Sequence, residues 1–334
     1  MKMVMLIKKV KLAKDMKLIF ELPFYSPSVG GVVETIKFAE AIHELTEYNV
    51  GLRFQRKTEK PKTNLAYSYG LPDKHFPLCD VVVTYSDTPY LQQLLLLPQV
   101  GKTMIYMLSY GMAQDREYAN SHNSRVTCMC STEKIRTAIL NDGYANVHKI
   151  GFALNMDDMW EYGNERKYIQ ALYYHPMASK RYKLAVDLSM GLFGQGLIDN
   201  TISFGTHIEY SKFAKPPALI SHTFNADRGQ IRNIFNDASF FVNTSFSEGL
   251  NLTPIEATLC GCPSIVCDGA DELLIDGVTC FKASQMADYD ELMSLAKELI
   301  NDRDYYADTF RLNMQKLVAE YTMPKLVDNF IKLI

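Results

Sequence analysis

The feature that most constrains the fold of this chain is a repeated alternation between short apolar runs and longer segments of helical periodicity. KLIFEL (17–22) is a strand-like run, and VVETIKFAEAIHEL (32–45) follows it with apolar residues at helical spacing. STEKIRTAILNDG (131–143) starts with capping residues and stops at a glycine, as a helix does. Further strand-like runs are YNVGLRF, DVVVTY, TMIYML and RVTCMC. Strands that alternate with helices predict an α/β fold with a parallel, doubly wound sheet.

The alternation is interrupted once, near the middle of the chain. After GFALNMDDMWEYGNERK (151–167), a new strand is predicted at YIQALYYH (168–175), and the alternation continues to about residue 300. The segment from about 303 to 334 has a helical pattern. A length of 334 residues suits two domains. We therefore predict two Rossmann-like domains, 1–160 and 161–316, joined near 155–165 and followed by a C-terminal helix over 317–334.

Composition restricts the class of protein further. Hydrophobic residues make up 47% of the chain and charged residues 22%, as in globular proteins. The sequence contains no run of about 18 apolar residues, so no transmembrane segment is predicted. The N-terminus lacks a long apolar core and a cleavage site, which predicts a cytoplasmic protein without a secretory signal. The seven cysteines include no Cys-x2-Cys pair, which favours reduced thiols over a zinc site.

The charge is distributed unevenly. Residues 1–150 carry 19 Lys and Arg against 14 Asp and Glu, whereas the remainder carries 16 against 24. The basic charge concentrates in residues 1–17 and in RFQRKTEKPK (53–62). A basic N-terminal half indicates either an anionic partner or simply a solvated surface.

One stretch, SFSEGLNLTPIEATLCGCPSIVCD (245–268), places two acids on either side of a strand-to-helix turn. Glu248 follows the predicted strand ASFFVNTS (238–245), at the sheet edge where open α/β sheets bind ligands. Thr253 is the predicted N-cap, with Pro254 as the first helical residue. Glu256 then completes a capping box with Thr253, so the role of the Glu256 side chain could be purely structural.

The same stretch also suits a nucleotide sugar. The turn amides of 249–252 and the helix N-terminus form a positive pocket for phosphates. A carboxylate at Glu248 fits beside sugar hydroxyls, and Glu256 fits beside the two ribose hydroxyls, because hydroxyl groups donate hydrogen bonds to carboxylates.

This segment resembles the donor site of retaining glycosyltransferases of the GT-B fold, family four. The family signature reads approximately Ser-x-x-Glu-Gly-x-x-Leu-x-x-x-Glu-Ala, then Gly-x-Pro, then a loop with Glu and Asp-Gly. The matching residues are Ser245, Glu248, Gly249, Leu252, Glu256, Ala257, Gly261, Pro263, Gly269, Glu272, Asp276 and Gly277. The resemblance implies two Rossmann-like domains that face each other across a cleft. It implies that Glu248 contacts the transferred sugar and Glu256 the ribose, and the predicted donor-binding turn comprises Gly249, Leu250, Asn251, Leu252 and Thr253.

Two other segments are similar to the same family. SVGGVVETIKFAEAI (28–42) looks like its N-terminal loop and helix, where Gly30 and Gly31 would approach the donor phosphates. YYHPMASKRYKLAVDLSMGL (173–192) looks like the strand, loop and helix that bind the diphosphate through an Arg and a Lys. Lys180 matches the Lys, and we expect it to be catalytic with Glu248.

This diphosphate segment departs from the family pattern at two positions. His175 fills the Arg slot, and Arg181 replaces the Gly that usually follows the Lys. Arg181 could supply the missing charge, or Lys180 and Arg181 could be a solvated helix start. Arg228, which opens RGQIRNIF, is a further donor-binding candidate.

The expected mechanism uses neither a metal nor a cofactor, with the nucleotide sugar as co-substrate. The family often carries a His near the sugar, but Ser109 and Tyr110 occupy this region of TMIYMLSYGM (103–112). The Asp-x-Asp sequence from Asp302 to Asp304 lies between predicted helices and is interpreted as capping. In the family, the departing phosphate helps to take the acceptor proton, and the configuration is retained.

The acceptor is left open by the sequence. The basic N-terminal domain favours an anionic acceptor, such as the hydroxymethylated base in DNA that phage-type sugar transferases modify. A lipid or glycan at a membrane surface is the alternative, and KMVMLIKKVKLAK (2–14) could make a peripheral membrane contact. A binding module without turnover is a third reading. A nucleotide-binding oxidoreductase is disfavoured, because no Gly-x-Gly-x-x-Gly follows the first strand.

Overall fold

The computed structural model describes residues 16–25, 30–85, 91–107, 116–122, 124–154, 169–175, 177–205 and 220–334. The chain divides into two compact units. The first unit draws on the chain up to Cys130, on Arg136–Gly151 and on Met323–Ile334, and the second unit on Ser131–Ile135 and Phe152–Thr322. The predicted domain join near 155–165, Ser109, Tyr110 and the segment 2–14 lie outside the described residues.

The first unit contains a parallel sheet of seven strands in the order β3-β2-β1-β4-β5-β6-β7. Its strands are β1 (Lys17–Leu22), β2 (Asn49–Phe54), β3 (Ala66–Tyr69), β4 (Cys79–Tyr85), β5 (Val100–Met107), β6 (Val126–Cys130) and β7 (Val147–Lys149). The helices along this part of the chain are α1 (Gly30–Leu45), α2 (Leu91–Leu96), α3 (Arg116–Ser121) and α4 (Glu133–Asn141).

The second unit contains a parallel sheet of six strands in the order β10-β9-β8-β11-β12-β13. Its strands are β8 (Ile169–Tyr174), β9 (Asn200–Gly205), β10 (Ile220–Phe224), β11 (Phe240–Asn243), β12 (Ser264–Val266) and β13 (Phe281–Lys282). Its helices are α5 (Tyr182–Gly194), α6 (Arg228–Asp237), α7 (Leu252–Leu259), α8 (Tyr289–Asn301) and α9 (Arg303–Val318), with a 3-10 turn at Ala178–Lys180.

Two parallel sheets confirm the predicted α/β class with two Rossmann-like domains. Burial of both sheet faces explains why β11 begins with three consecutive apolar residues, Phe240 to Val242. Phe240 packs in one cluster with Leu188 and Phe310, whereas Phe241 packs in another with Phe235. Consecutive residues of one strand thus fill the cores on opposite sides of the sheet.

The last helix, α10 (Met323–Ile331), belongs to the first unit. Phe330 is fully buried, and its ring centroid lies 5.3 Å from that of Phe38 on α1 and 6.4 Å from that of Phe20 on β1. Asn329 donates to the carbonyl oxygen of Ile150 at 3.0 Å. The predicted helical tail therefore consists of α9 and α10, and α10 completes the core beside α1.

The second sheet changes direction between β8 and β11. From β8 the chain adds β9 and β10 on one side, then returns to add β11, β12 and β13 on the other. Ligands of open α/β sheets bind at such a switch point, beyond the carboxyl ends of the strands. The loops that follow β8 and β11 meet there, and they carry Lys180 and Glu248.

No helix among the described residues is long and apolar enough to cross a membrane.

Candidate functional site

Lys180 and Glu248, the two residues predicted to be catalytic, form an ion pair at the switch point. The Lys180 ammonium bonds Glu248 Oε1, and the two side chains are 18% and 14% exposed. Their loops are also joined through the backbone, because Phe246 N–H donates to Ser179 O at 3.0 Å and Thr244 Oγ1 donates to Lys180 O at 2.9 Å. The structure thus brings together a cation and a carboxylate that the sequence places 68 residues apart.

Two neutral rings border this ion pair. Burial and, to a smaller extent, the nearby Glu248 carboxylate raise the pKa of Tyr173 to about 12, so the phenol keeps its proton. Burial lowers the pKa of His175, and the Lys180 ammonium adds to that effect. His175 Nδ1 accepts from Met177 N–H at 3.2 Å. His175 therefore does not supply the positive charge of an Arg at this position, and the cation that faces Glu248 is Lys180.

The turn after Glu248 is held by a second loop, which follows β12. Asp268 Oδ2 accepts from the Glu248 N–H at 2.7 Å, and the Asp268 carbonyl accepts from Asn251 Nδ2 at 2.7 Å. Asn251 adopts a left-handed conformation with φ 56°, and its Oδ1 accepts from Asn243 Nδ2 at 3.0 Å. Ala270 N–H donates to Leu250 O at 3.2 Å. Sequence reasoning missed Asp268, although an acid directly after a buried strand was the signal used for Glu248.

The predicted capping box at Thr253 is wrong. Helix α7 begins at Leu252 with Asn251 as N-cap, and no side chain caps it. Thr253 and Pro254 are therefore the second and third helical residues. Pro254 remains acceptable because the N–H groups of the first turn lack intrahelical partners. The helix begins earlier than predicted because the left-handed Asn251 and its bonds to Asp268 and Asn243 set the turn.

Glu256 instead pairs with Arg228. Arg228 Nη2 lies 3.0 Å from Glu256 Oε1, with the side chains 35% and 12% exposed. Arg228 is the first residue of α6, whose N-cap Asp227 forms a capping box with Gln230. The structure thus brings these two donor-site candidates together at the same end of the sheet as Lys180 and Glu248.

Arg181, a predicted donor-binding residue, has structural partners in this chain. Its guanidinium donates to three backbone carbonyls, those of Thr244 at 2.8 Å, Ala287 at 2.8 Å and Gln285 at 3.0 Å. Its backbone is left-handed with φ 45°, which explains why the family has Gly at this position. Arg181 thus fastens three segments together, and its predicted contact with the donor diphosphate stays a prediction.

Gly30 and Gly31 are the first two residues of α1 in the first unit. The Gly31 carbonyl accepts from Thr35 Oγ1 at 2.7 Å. Their predicted contact with the donor phosphates stays a prediction.

The described residues contain no group of three or more His, Cys, Asp or Glu side chains placed to hold a metal ion. Asp302 ends α8 and precedes α9, and Arg303 pairs with Asp304 at 2.5 Å. All seven cysteines are free and buried, and burial raises the pKa of Cys128 and of Cys280 to about 12. These thiols are therefore protonated and packed in the core.

Comparison with known proteins agrees with this architecture. The sequence family described as "Glycosyl transferases group 1" matches residues 212–302, the segment that carries Arg228, Glu248 and Glu256. No curated protein matches the chain in sequence.

Several solved structures share the fold. Anabaena Alr3699/HepE in complex with UDP-glucose is 13% identical with a TM-score of 0.75, over 96% of this chain and 100% of that one. A glycosyltransferase from Rickettsia africae is 14% identical with a TM-score of 0.76, over 95% and 97% of the two chains. S. aureus TarM is 14% identical with a TM-score of 0.63, over 76% of this chain, which spans only 54% of the TarM chain. The chain therefore has the GT-B fold.

Proposed function

We propose that the protein is a glycosyltransferase that moves a sugar from a nucleotide sugar to an acceptor hydroxyl. One observation carries this proposal. Two carboxylates, Glu248 and Glu256, each held by a cation, border the N-terminal end of α7 at the switch point of the sheet. A nucleotide sugar needs these groups in this order. Glu248 accepts hydrogen bonds from the sugar hydroxyls, the N-terminal end of α7 donates to the phosphates, and Glu256 accepts from the ribose hydroxyls. UDP-sugars are the first donors to test, because HepE binds UDP-glucose, and GDP-sugars are the second.

The two ion pairs explain how the site accommodates a donor. A diphosphate beside Lys180 competes with Glu248 for the ammonium, which leaves the Glu248 carboxylate available to sugar hydroxyls. Ribose hydroxyls approach Glu256 in the same way, while Arg228 holds that carboxylate in place. In transfer, the bond between the anomeric carbon and the phosphate oxygen breaks, and negative charge grows on the diphosphate. Lys180 and the amides of 249–252 stabilise that charge without a metal ion.

The proposed stereochemistry is retention. The acceptor oxygen attacks the anomeric carbon from the face that the diphosphate leaves, and the acceptor proton passes to the departing phosphate oxygen. This assignment rests on the family resemblance of the segment around Glu248. Analysis of the product's anomeric configuration by NMR tests it directly.

The acceptor is proposed to be anionic, with a hydroxymethylated base in DNA as the first candidate. The loop after β2 exposes Arg56, Lys57, Lys60 and Lys62. Arg53, from the same sequence run, is instead buried and donates to Gly70 O at 3.2 Å and Leu71 O at 2.9 Å. The exposed lysines and arginine supply the charge that a polyanion requires. A lipid-linked or glycan acceptor is the alternative.

The experiment is a calorimetric screen of nucleotide sugars, followed by assay of nucleotide release with hydroxymethylated DNA, glycan and lipid acceptors. Glu248→Gln should retain nucleotide binding and lose most turnover, because the lost charge faces the sugar. Glu44→Gln, an exposed substitution on α1, serves as the control and should behave like wild type. Absence of binding to every nucleotide sugar would refute the proposal. Binding without turnover on any acceptor would identify a binding module of the same fold.

A further inference from the structure

Asp268 holds both ends of the turn that begins with Glu248. Its carboxylate accepts from the Glu248 N–H, and its carbonyl accepts from the Asn251 side chain. The Asp268 side chain is only 5% exposed. The position of the Glu248 carboxylate therefore depends on a buried acid that itself lies on a different loop.

Lys134 neutralises this buried acid. Lys134 is the second residue of α4 and lies in the segment Ser131–Ile135, which belongs to the second unit. Its ammonium bonds Asp268 Oδ1 and lies 3.4 Å from the carbonyl oxygen of Gly269. Its side chain is 22% exposed. One oxygen of the Asp268 carboxylate thus faces Lys134, while the other holds the Glu248 N–H.

Removal of the Lys134 charge would leave Asp268 as a buried carboxylate without this cation. Such a group is strongly unfavourable, so the carboxylate moves towards water. This movement weakens its bond to the Glu248 N–H. A displacement of about 1 Å in a reacting group can lower a rate about 100-fold, so the effect should be seen in turnover before it is seen in nucleotide binding.

We propose that Lys134 is a positioning residue that acts through Asp268 to fix Glu248 against the transferred sugar. This inference rests on the proposed function for its catalytic consequence. Whether Lys134 holds the turn can be measured by hydrogen exchange, which does not require turnover.

The same loop offers a matched control. Lys282 pairs with Asp271, three residues after Asp268, and the side chains are 26% and 61% exposed. Since Asp271 is largely solvated, loss of the Lys282 charge leaves a hydrated carboxylate rather than a buried one. Lys282→Met, at the end of β13, therefore removes a lysine that contacts this loop without disturbing the turn at Glu248.

The experiment compares Lys134→Met, Lys134→Arg and Lys282→Met in the full chain. It measures kcat and KM for the nucleotide sugar, UDP affinity, and hydrogen exchange of a peptide covering 246–251. Lys134→Met should lower kcat about 30- to 100-fold, with KM and UDP affinity within about threefold of wild type. Its exchange at the Glu248 amide should be at least about tenfold faster, since that N–H loses its acceptor. Lys134→Arg should have a kcat and a Glu248 amide exchange rate close to those of wild type, and Lys282→Met should match wild type in all four measurements.

The inference is overturned if Lys134→Met leaves kcat and amide exchange within about twofold of wild type. It is also overturned if Lys134→Arg is as impaired as Lys134→Met, or if UDP affinity falls as much as kcat. A wild-type protein without turnover on any nucleotide sugar would refute the proposed function. In that case the exchange rates still decide whether Lys134 holds the turn.

Discussion

Substitution of Glu256 by alanine should weaken nucleotide binding strongly and affect folding only slightly. In the proposed function, the Glu256 carboxylate accepts hydrogen bonds from the two ribose hydroxyls. Hydrogen bonds to a charged group contribute about 1.5–3 kcal/mol, and every 1.4 kcal/mol is a factor of ten in affinity. Glu256→Ala should therefore raise the Kd for UDP about 10- to 150-fold.

The expected loss of stability is small because the structural partner of Glu256 is partly solvated. Arg228 is 35% exposed, so its ion pair with Glu256 is worth no more than about 1 kcal/mol. A change of this size lowers the melting temperature by about 2–4 °C in a domain of 150–250 residues. Thr253→Ala should leave the melting temperature unchanged, because the N-cap of α7 is Asn251 and not Thr253.

The decisive assay compares UDP with its 2′,3′-dideoxy analogue by isothermal titration calorimetry. The wild-type protein should bind UDP about 10- to 150-fold more tightly than the analogue, and Glu256→Ala should bind both equally. If the variant still discriminates between the two ligands, the ribose is recognised elsewhere. If the variant melts at a lower temperature but keeps wild-type affinity, Glu256 has only a structural part.

Three further predictions concern the diphosphate, the acceptor and pH. Lys180→Ala should lower kcat about 100- to 1,000-fold, by analogy with the loss of one charge-stabilising donor. EDTA should leave wild-type activity intact. Activity that EDTA abolishes and manganese restores would contradict the metal-independent mechanism. Replacement of Arg56, Lys57 and Lys60 by Gln should make binding to hydroxymethylated duplex DNA less sensitive to salt. The slope of log K against log salt concentration should become less steep by about 0.9 per lost phosphate contact. Salt-independent binding of the wild type would instead favour a glycan or lipid acceptor. Burial lowers the pKa of His222 from 6.5 to about 4, so the neutral imidazole contributes stability above pH 6.5 that is lost as pH falls towards 4. Melting temperatures from pH 7 to 4 should therefore fall more steeply for wild type than for His222→Gln, and parallel curves would contradict the burial of this ring.

The architecture could be predicted from the sequence because it depends on local patterns. Runs such as Phe240 to Val242 are apolar at consecutive positions, since both faces of a parallel strand are buried. The position of Glu248 at the carboxyl edge of the sheet could be predicted in the same way, because Glu248 follows a buried strand of this kind. The family resemblance then connected Lys180 with Glu248.

The details that escaped prediction depend on contacts between distant residues. The start of α7 is set by the bond from Asn251 to Asp268, so local capping rules selected Thr253 instead. The three backbone carbonyls that Arg181 binds were not predicted, because nothing in its sequence neighbourhood indicates them. The pair between Lys134 and Asp268 joins residues 134 positions apart, and no periodicity or motif indicates it.

The contact between α10 and α1 has a consequence for the order of synthesis. Phe38 and Phe330 are both buried in the first unit, yet residues 152–322 of the second unit lie between them in the chain. At about 5–20 residues per second, the ribosome needs roughly 10–30 s to make those intervening residues. During that interval the apolar face of α1 that will receive Phe330 has no partner, so the unit that is begun first is completed last.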